Sequence, residues 1–293
     1  MRKLIIVITV LIIMAVIFLY LSQSSSESKS VSLAGWRSSE YGYQQEQGPN
    51  YWIGVADQMS SKFTNYNPAG IWILGVEENG SCYLQFPNDD DFDYIIFSEE
   101  DINENYLDAF DDANLSIWLQ VEPASANVET LIDLVLSRYK HHPSVIGFGV
   151  DVEWLENEEF SKGRPVTSME AESWLDKIKS YDPEYKLFLK HWDIDKMPKS
   201  YPDDIVFISD SQEFDSYDEM MEEFKDWGEH FSDNEVGFQY GYESDRKLWE
   251  SFDDPAYQIG NDLTDNVPNC RGLYWVDFTI TDVFHIPNVS RII

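Results

Sequence analysis

The chain has 293 residues, 54 acidic against 20 basic, for a formal net charge of -34. So acidic a surface excludes nucleic acid as a partner, because phosphate binding needs clustered Lys and Arg. With only Cys82 and Cys270 and five histidines, none in zinc-ligand spacing, no metal and no other cofactor is expected.

Residues 1–22 open with Met1, Arg2 and Lys3 and continue as an apolar run from Leu4 to Leu21, broken only by Thr9. At about 1.5 Å of rise per residue such a run nearly crosses a hydrocarbon core of roughly 30 Å. It reads as an uncleaved signal anchor, a single transmembrane helix whose basic N-terminus stays in the cytoplasm, so the remainder faces the extracytoplasmic side of the cell membrane. Residues 23–32 form a serine-rich linker that cannot bury a core. Residues 33–293 then suit one (β/α)8 TIM barrel of the α/β class.

Within that span, short apolar runs alternate with helical periodicity. Eight strands are expected: Leu33 to Ser39, Gly70 to Val76, Leu115 to Val121, Val145 to Val152, Tyr185 to Trp192, Ile205 to Ser209, Glu235 to Tyr240 and Gly272 to Phe278. Helical stripes fall at Val128, Leu131, Ile132 and Val135, at Ala171, Trp174, Leu175 and Ile178, and at Met220, Met221, Phe224, Trp227 and Phe231. Thr167 with Glu170, and Ser216 with Glu219, have capping-box spacing, and Asp182-Pro183 ends a helix. Residues 77–101 read as an elaborated upper loop with an extra strand at Tyr94 to Phe97. Its Asp89, Asp91, Asp93 and Glu100 have EF-hand spacing, but Tyr94 stands where the loop needs glycine, so a solvated acidic loop is the better reading. Cys82 and Cys270 fall near opposite ends of the barrel, too far apart for a disulfide.

Barrel chemistry sits at the C-terminal ends of the strands. Those ends are polar here: Arg37 and Glu40, Glu77, Gln120 and Glu122, Asp151 and Glu153 with Trp154, Lys190, His191 and Trp192, Asp210 and Gln212, Gln239, Tyr240 and Glu243, Trp275 and Asp277. Rings that stack on sugars, beside carboxylates and amides that bind hydroxyls, suit a carbohydrate partner. In VIGFGVDVEW, residues 145–154, strand alternation points Asp151 and Glu153 the same way, with Gly147 and Gly149 beneath them leaving room. Two carboxylates so close raise one pKa, which suits Glu153 as a general acid.

Asp151-Val152-Glu153 resembles the end of the DxxDxDxE motif of family 18 chitinases and endo-β-N-acetylglucosaminidases, although Ile146 and Gly149 replace the earlier aspartates. That resemblance implies Glu153 as acid, Asp151 as orienter of a substrate acetamido group, and Trp275 as the floor of the sugar site. DVE also resembles the DxE of family 25 lysozymes. His142-Pro143-Ser144-Val145-Ile146 resembles a run in clan A retaining glycosidases, whose nucleophile would fall at Glu243, although Val152 replaces their Asn before the acid. The expected function is a membrane-anchored glycoside hydrolase of a polysaccharide or glycan. Glu153, Asp151 and Glu243 are its catalytic candidates; Trp154, Gln120, Glu122, His191, Trp192, Asp210, Gln239, Tyr240, Trp275 and Asp277 are expected to bind substrate. The alternatives are a noncatalytic carbohydrate-binding barrel and a structural envelope protein.

Overall fold

In the computed structural model, which describes residues 31–43, 47–157, 159 and 162–286, the strands run β1 (Ser32–Ser38), β2 (Tyr66–Glu78), β3 (Ser81–Leu84), β4 (Ile95–Phe97), β5 (Ser116–Val121), β6 (Val145–Asp151), β7 (Lys186–Lys190), β8 (Ile205–Ser209), β9 (Val236–Tyr240) and β10 (Cys270–Val276). β1, β2 and β5 to β10 pair in parallel in that order, and β1 bonds to both β2 and β10. Closure satisfies the ladders of all eight strands. The helices are α1 (Pro49–Ser60), α2 (Glu104–Asp112), α3 (Val128–Tyr139), α4 (Ser168–Tyr181), α5 (Tyr217–His230), α6 (Arg246–Trp249), α7 (Pro255–Asn266) and α8 (Ile280–Val283).

Each of the eight expected strands overlaps one barrel strand, and the three apolar stripes lie on α3, α4 and α5. At α4 the capping box is complete, Thr167 and Glu170 each accepting from the other's backbone N–H. At α5 it is half formed: Ser216 accepts from the Glu219 N–H, while the Glu219 carboxylate takes the Asp215 N–H at 2.8 Å. Residues 77–101 carry two additional strands, not one. β3 returns antiparallel against β2, and β4 lies parallel beside β3. The β2–β3 hairpin turns on Asn79 and Gly80, at φ 52° and 83°, the left-handed pair that a two-residue turn demands and that Asn-Gly supplies without strain. Cys82 is buried on β3 and Cys270 at the start of β10, both as free thiols. No helix among the described residues is long and apolar enough to cross a membrane; the anchor expected at 1–22 lies outside them.

Alternation divides the apolar residues into two layers. One side chain of each pair turns outward to the helices, where Trp36 meets Trp52 at 5.0 Å and Phe110 at 5.6 Å between ring centroids. The other turns into the barrel, whose interior is filled by Leu33, Ala69, Ile71, Ile73, Trp118, Phe188, Val206, Ile208 and Tyr274. Gly147 and Gly149 do face inward, but the room they leave is taken by aromatic rings. A Cβ on Gly149 would lie 2.0 Å from Phe188 Cζ, and one on Gly147 would lie 2.5 Å from the Trp118 ring. Those rings, edge to face at 5.3 Å, close the barrel beneath its mouth. Gly149→Ala is therefore expected to cost about 1–3 kcal/mol by overpacking, read as a lower urea midpoint, and Gly149→Ala with Phe188→Leu should recover part of the loss.

Candidate active site

The same alternation delivers a polar layer above that aromatic plug. Gln120 follows Trp118 on β5, Asp151 follows Gly149 on β6, Lys190 follows Phe188 on β7, and Asp210 follows Ile208 at the end of β8, each two residues on and on the same face. Lys190 is 3% exposed, and its Nζ donates to Asp151 Oδ2 at 2.8 Å and to Glu153 Oε2 at 2.8 Å, with Asp210 Oδ2 at 2.6 Å. Glu153 is not on the strand as expected. β6 ends at Asp151, and a single 3-10 turn over Val152–Trp154 begins, capped by Asp151 Oδ1, which accepts from the Glu153 N–H at 3.2 Å. That turn brings Glu153 round to the same ammonium as Asp151.

The charge balance of this group decides its protonation. Burial alone would lower the Lys190 pKa, but Asp151, Asp210 and Glu153 outweigh it and hold it well above the usual lysine value. One cation cannot neutralise three buried carboxylates. Burial, then the repulsion of Asp210, pushes the Glu153 carboxyl up to about 8 against the pull of Lys190. Asp151 is raised too, chiefly by burial and with Lys190 opposing. Glu122, at the mouth end of β5, is pushed up to about 7 by burial and then by Asp151, although Tyr41 Oη at 2.9 Å and the Glu77 N–H at 2.8 Å both donate to its Oε2. Burial and the neighbouring carboxylates thus favour the protonated form of Glu153. Its Oε1 makes no hydrogen bond, nor does Asp210 Oδ1.

An open cleft of about 320 Å³ lies over the cluster, lined by Arg37, Tyr41, Glu122, Asp151, Glu153, Trp154, Lys190, Asp210, Gln212, Tyr242, Glu243, Ser244 and Phe278. A second, of about 460 Å³, is lined by Glu153, Trp192, Ser211, Gln212, Glu213, Phe214, Glu219 and Glu223. Glu153 and Gln212 belong to both. Among the sequence candidates, Asp151, Glu153, Glu122, Asp210 and Trp154 meet in the first cleft, and half-exposed Trp192 flanks the second. Gln120 and Gln239 are buried: Gln120 Nε2 donates to Asp151 Oδ2 at 3.2 Å, and Gln239 Oε1 accepts from Tyr242 Oη at 3.3 Å. Glu243 stands at the exposed rim, its carboxylate bonded by Arg246 through both Nε and Nη2 and its pKa lowered by that bond. His191 is fully buried, its Nδ1 accepting from the Asp193 N–H at 2.8 Å, and burial lowers its pKa to about 4.

Three expectations are corrected. Tyr240 and Trp275 lie one residue past inward-facing Gln239 and Tyr274, so alternation turns both out to the helices. Tyr240 Oη donates to the Ala256 carbonyl in α7 at 3.3 Å, and Trp275 donates to Thr279 Oγ1 at 2.9 Å while packing on Trp249 at 5.3 Å. Trp275 is 0% exposed and floors no sugar site. Asp277 is also 0% exposed and sits beneath the rim, paired with Arg37 Nη1 at 3.0 Å and accepting from the Ser39 N–H at 2.8 Å. It positions Arg37 and does not reach the cleft itself. Tyr41, Tyr242, Ser244 and Phe278 line the cleft without having been singled out in the sequence, and Arg37, Lys190 and Gln212 line it as polar strand ends outside the catalytic and substrate-binding candidates. Lys190 had a readable signal, being the polar end of the inward-facing set begun by Phe188.

No known family profile matches the chain, and no curated protein does. Among solved structures it is similar to a β-D-glucuronidase from Dictyoglomus thermophilum, with 12% identity and a TM-score of 0.47, over 84% of this chain but only 43% of that one. It is also similar to TsXylA, an intracellular xylanase from Thermoanaerobacterium saccharolyticum, with 10% identity and a TM-score of 0.45 over 90% of this chain and 91% of that one. A third is a GH5-4 broad specificity endoglucanase from an uncultured bacterium, with 9% identity and a TM-score of 0.48 over 89% and 91%.

Removing Lys190 leaves buried carboxylates without their cation, so Lys190→Met should lower unfolding free energy by about 3–5 kcal/mol in urea at neutral pH, and by much less at acidic pH, where the carboxylates are protonated. Glu122 and Glu153 bind protons more tightly folded than unfolded. Their stabilising contribution is full below the ordinary glutamate value of 4.5 and is lost as pH rises through about 7 and 8. Melting temperature should accordingly fall from pH 6 to pH 9 less steeply in Glu122→Gln than in the parent.

Proposed function

We propose that the protein is a glycoside hydrolase that cleaves a polysaccharide or glycan on the extracytoplasmic side of a membrane, held there by residues 1–22, with Glu153 as general acid. The observation that carries this reading is the setting of Glu153: a buried carboxyl with one oxygen held by Lys190 and the other without a hydrogen-bond partner, in a residue that lines both clefts, where burial and Asp210 favour its protonated form. An acid so fixed can protonate a glycosidic oxygen without first being recruited from solvent.

Asp210 supplies the opposing carboxylate. Asp151 is fully engaged, with Oδ1 on the Glu153 N–H and Oδ2 on Lys190 and Gln120, so its work is to orient Glu153 and the turn. Asp210 keeps Oδ1 unbonded while Oδ2 rests on Lys190. As the leaving oxygen takes the Glu153 proton, Asp210 attacks the anomeric carbon; water then releases the sugar, returning its proton to Glu153. Glu243 is less suited to attack, because Arg246 already binds both its oxygens. The substrate-assisted route implied by the chitinase resemblance would keep Glu153 as acid and use Asp151 to orient an acetamido group, but it loses the Trp275 floor. Two clefts share Glu153, with Trp154, Tyr242 and Phe278 in one and Trp192 and Phe214 in the other, which supports a substrate that extends past the acid in more than one direction.

The full-length protein should hydrolyse at least one member of a panel of labelled oligosaccharides. Glu153→Gln should lower kcat by about 10²–10⁴-fold while leaving ligand binding within a few-fold, and Asp210→Asn should also lose turnover. Binding without turnover in the parent protein would instead make the barrel a carbohydrate-binding module.

A further inference from the structure

Outside the mouth, on the outer surface where α3 hands over to β6, three side chains converge that the proposed reaction does not use. His141 and His142 follow α3, and Glu104 is the first residue of α2. His142 is 1% exposed, and its Nδ1 lies 2.7 Å from Asp111 Oδ2, a group that can only accept, so the Nδ1 carries the proton. His141 Nδ1 lies 2.9 Å from the Arg138 carbonyl, which likewise fixes the proton on Nδ1. A neutral imidazole with its proton on Nδ1 presents a bare lone pair at Nε2. Both Nε2 atoms point at one carboxylate oxygen: Glu104 Oε1 is 3.1 Å from His141 Nε2 and 3.6 Å from His142 Nε2. The buried His142 Nε2 has no hydrogen-bond partner.

Three acceptors facing one another repel unless a cation stands between them. We propose that Glu104, His141 and His142 bind a divalent cation of the zinc class. Imidazole nitrogen with one carboxylate oxygen is a borderline donor set, suited to Zn²⁺ over Ca²⁺ or Mg²⁺. The spacing fits. Bonds of about 2.0–2.1 Å at a tetrahedral centre separate ligand atoms by about 3.3 Å, and the two observed nitrogen-to-oxygen distances straddle that value. The three ligand atoms all lie within 4.8 Å of one another. Asp111 completes the pattern of a metal-bound histidine: it receives the far ring N–H of His142 and is itself fixed by the Ser144 N–H at 2.9 Å. The exposed His141 side leaves a coordination position for water. Joining α2 to the segment that enters β6, the ion would be a structural clamp on the strand that carries Asp151.

The test is calorimetric titration of the full-length protein, stripped with a chelator, with zinc chloride at neutral pH, alongside melting curves. One equivalent should bind, raise the melting temperature and resist competition by calcium. His141→Ala and Glu104→Gln, both at partly exposed side chains and so compatible with folding, should each abolish the stoichiometric uptake. Asp111→Asn should weaken it about 10–100-fold. If His141 instead carries a second proton and makes an ordinary ion pair with Glu104, the parent protein will take up no stoichiometric zinc. That result, uptake unchanged in His141→Ala, or displacement by calcium at equal concentration would each overturn the proposal.

Discussion

A single buried ammonium set among three carboxylates is the constraint on which the rest of the mouth depends. Each ion taken from water costs several kcal/mol even after relaxation, and the mutual attraction offsets this only when the geometry is good and the remaining polar atoms are bonded. Lys190 meets the geometric condition with contacts of 2.6–2.8 Å to Asp151, Glu153 and Asp210. The charge condition is not met, since the cluster would carry excess negative charge if fully ionised. A proton on Glu153 relieves that excess. The fold's own electrostatics thus favour a proton at Glu153 before any substrate binds.

The barrel underneath makes this arrangement possible. Trp118 and Phe188 occupy the space that Gly147 and Gly149 vacate, so the interior is sealed and the polar layer faces a dry floor on one side and the clefts on the other. A closed floor keeps the local dielectric low, which is why burial is the first cause of the raised values at Glu122, Asp151 and Glu153. Turns at the strand ends then aim the groups: the 3-10 turn after β6 swings Glu153 onto the ammonium that already holds Asp151.

Much of this was legible in the sequence because alternation and helical spacing are local. The eight barrel strands, the stripes of α3 to α5, the Thr167 cap and the convergence of Asp151, Glu153, Glu122 and Asp210 all follow from patterns within a few residues. Errors arose where a single step of parity decided the face. Tyr240 and Trp275 are polar-ended aromatics at strand ends, and only their register against inward-facing Gln239 and Tyr274 shows that they serve the helical layer. The β3 strand has a local signal in the Asn79-Gly80 turn that joins it to β2, whereas its parallel pairing with β4 is a contact across a longer loop. Contacts between distant segments were beyond reach: neither the pairing of Asp277 with Arg37 nor that of Arg246 with Glu243 and Asp282 can be inferred from spacing. The meeting of Glu104 with His141 and His142 is of the same kind, made by packing α2 beside the end of α3.

The protonation of Glu153 can be observed without knowing the substrate. Infrared difference spectra of the parent protein against Glu153→Gln, recorded across a pH titration, isolate the carboxyl of that one residue. The account predicts a protonated carboxylic acid at neutral pH that is lost near pH 8. A group already ionised at neutral pH, titrating in the ordinary glutamate range, would contradict it.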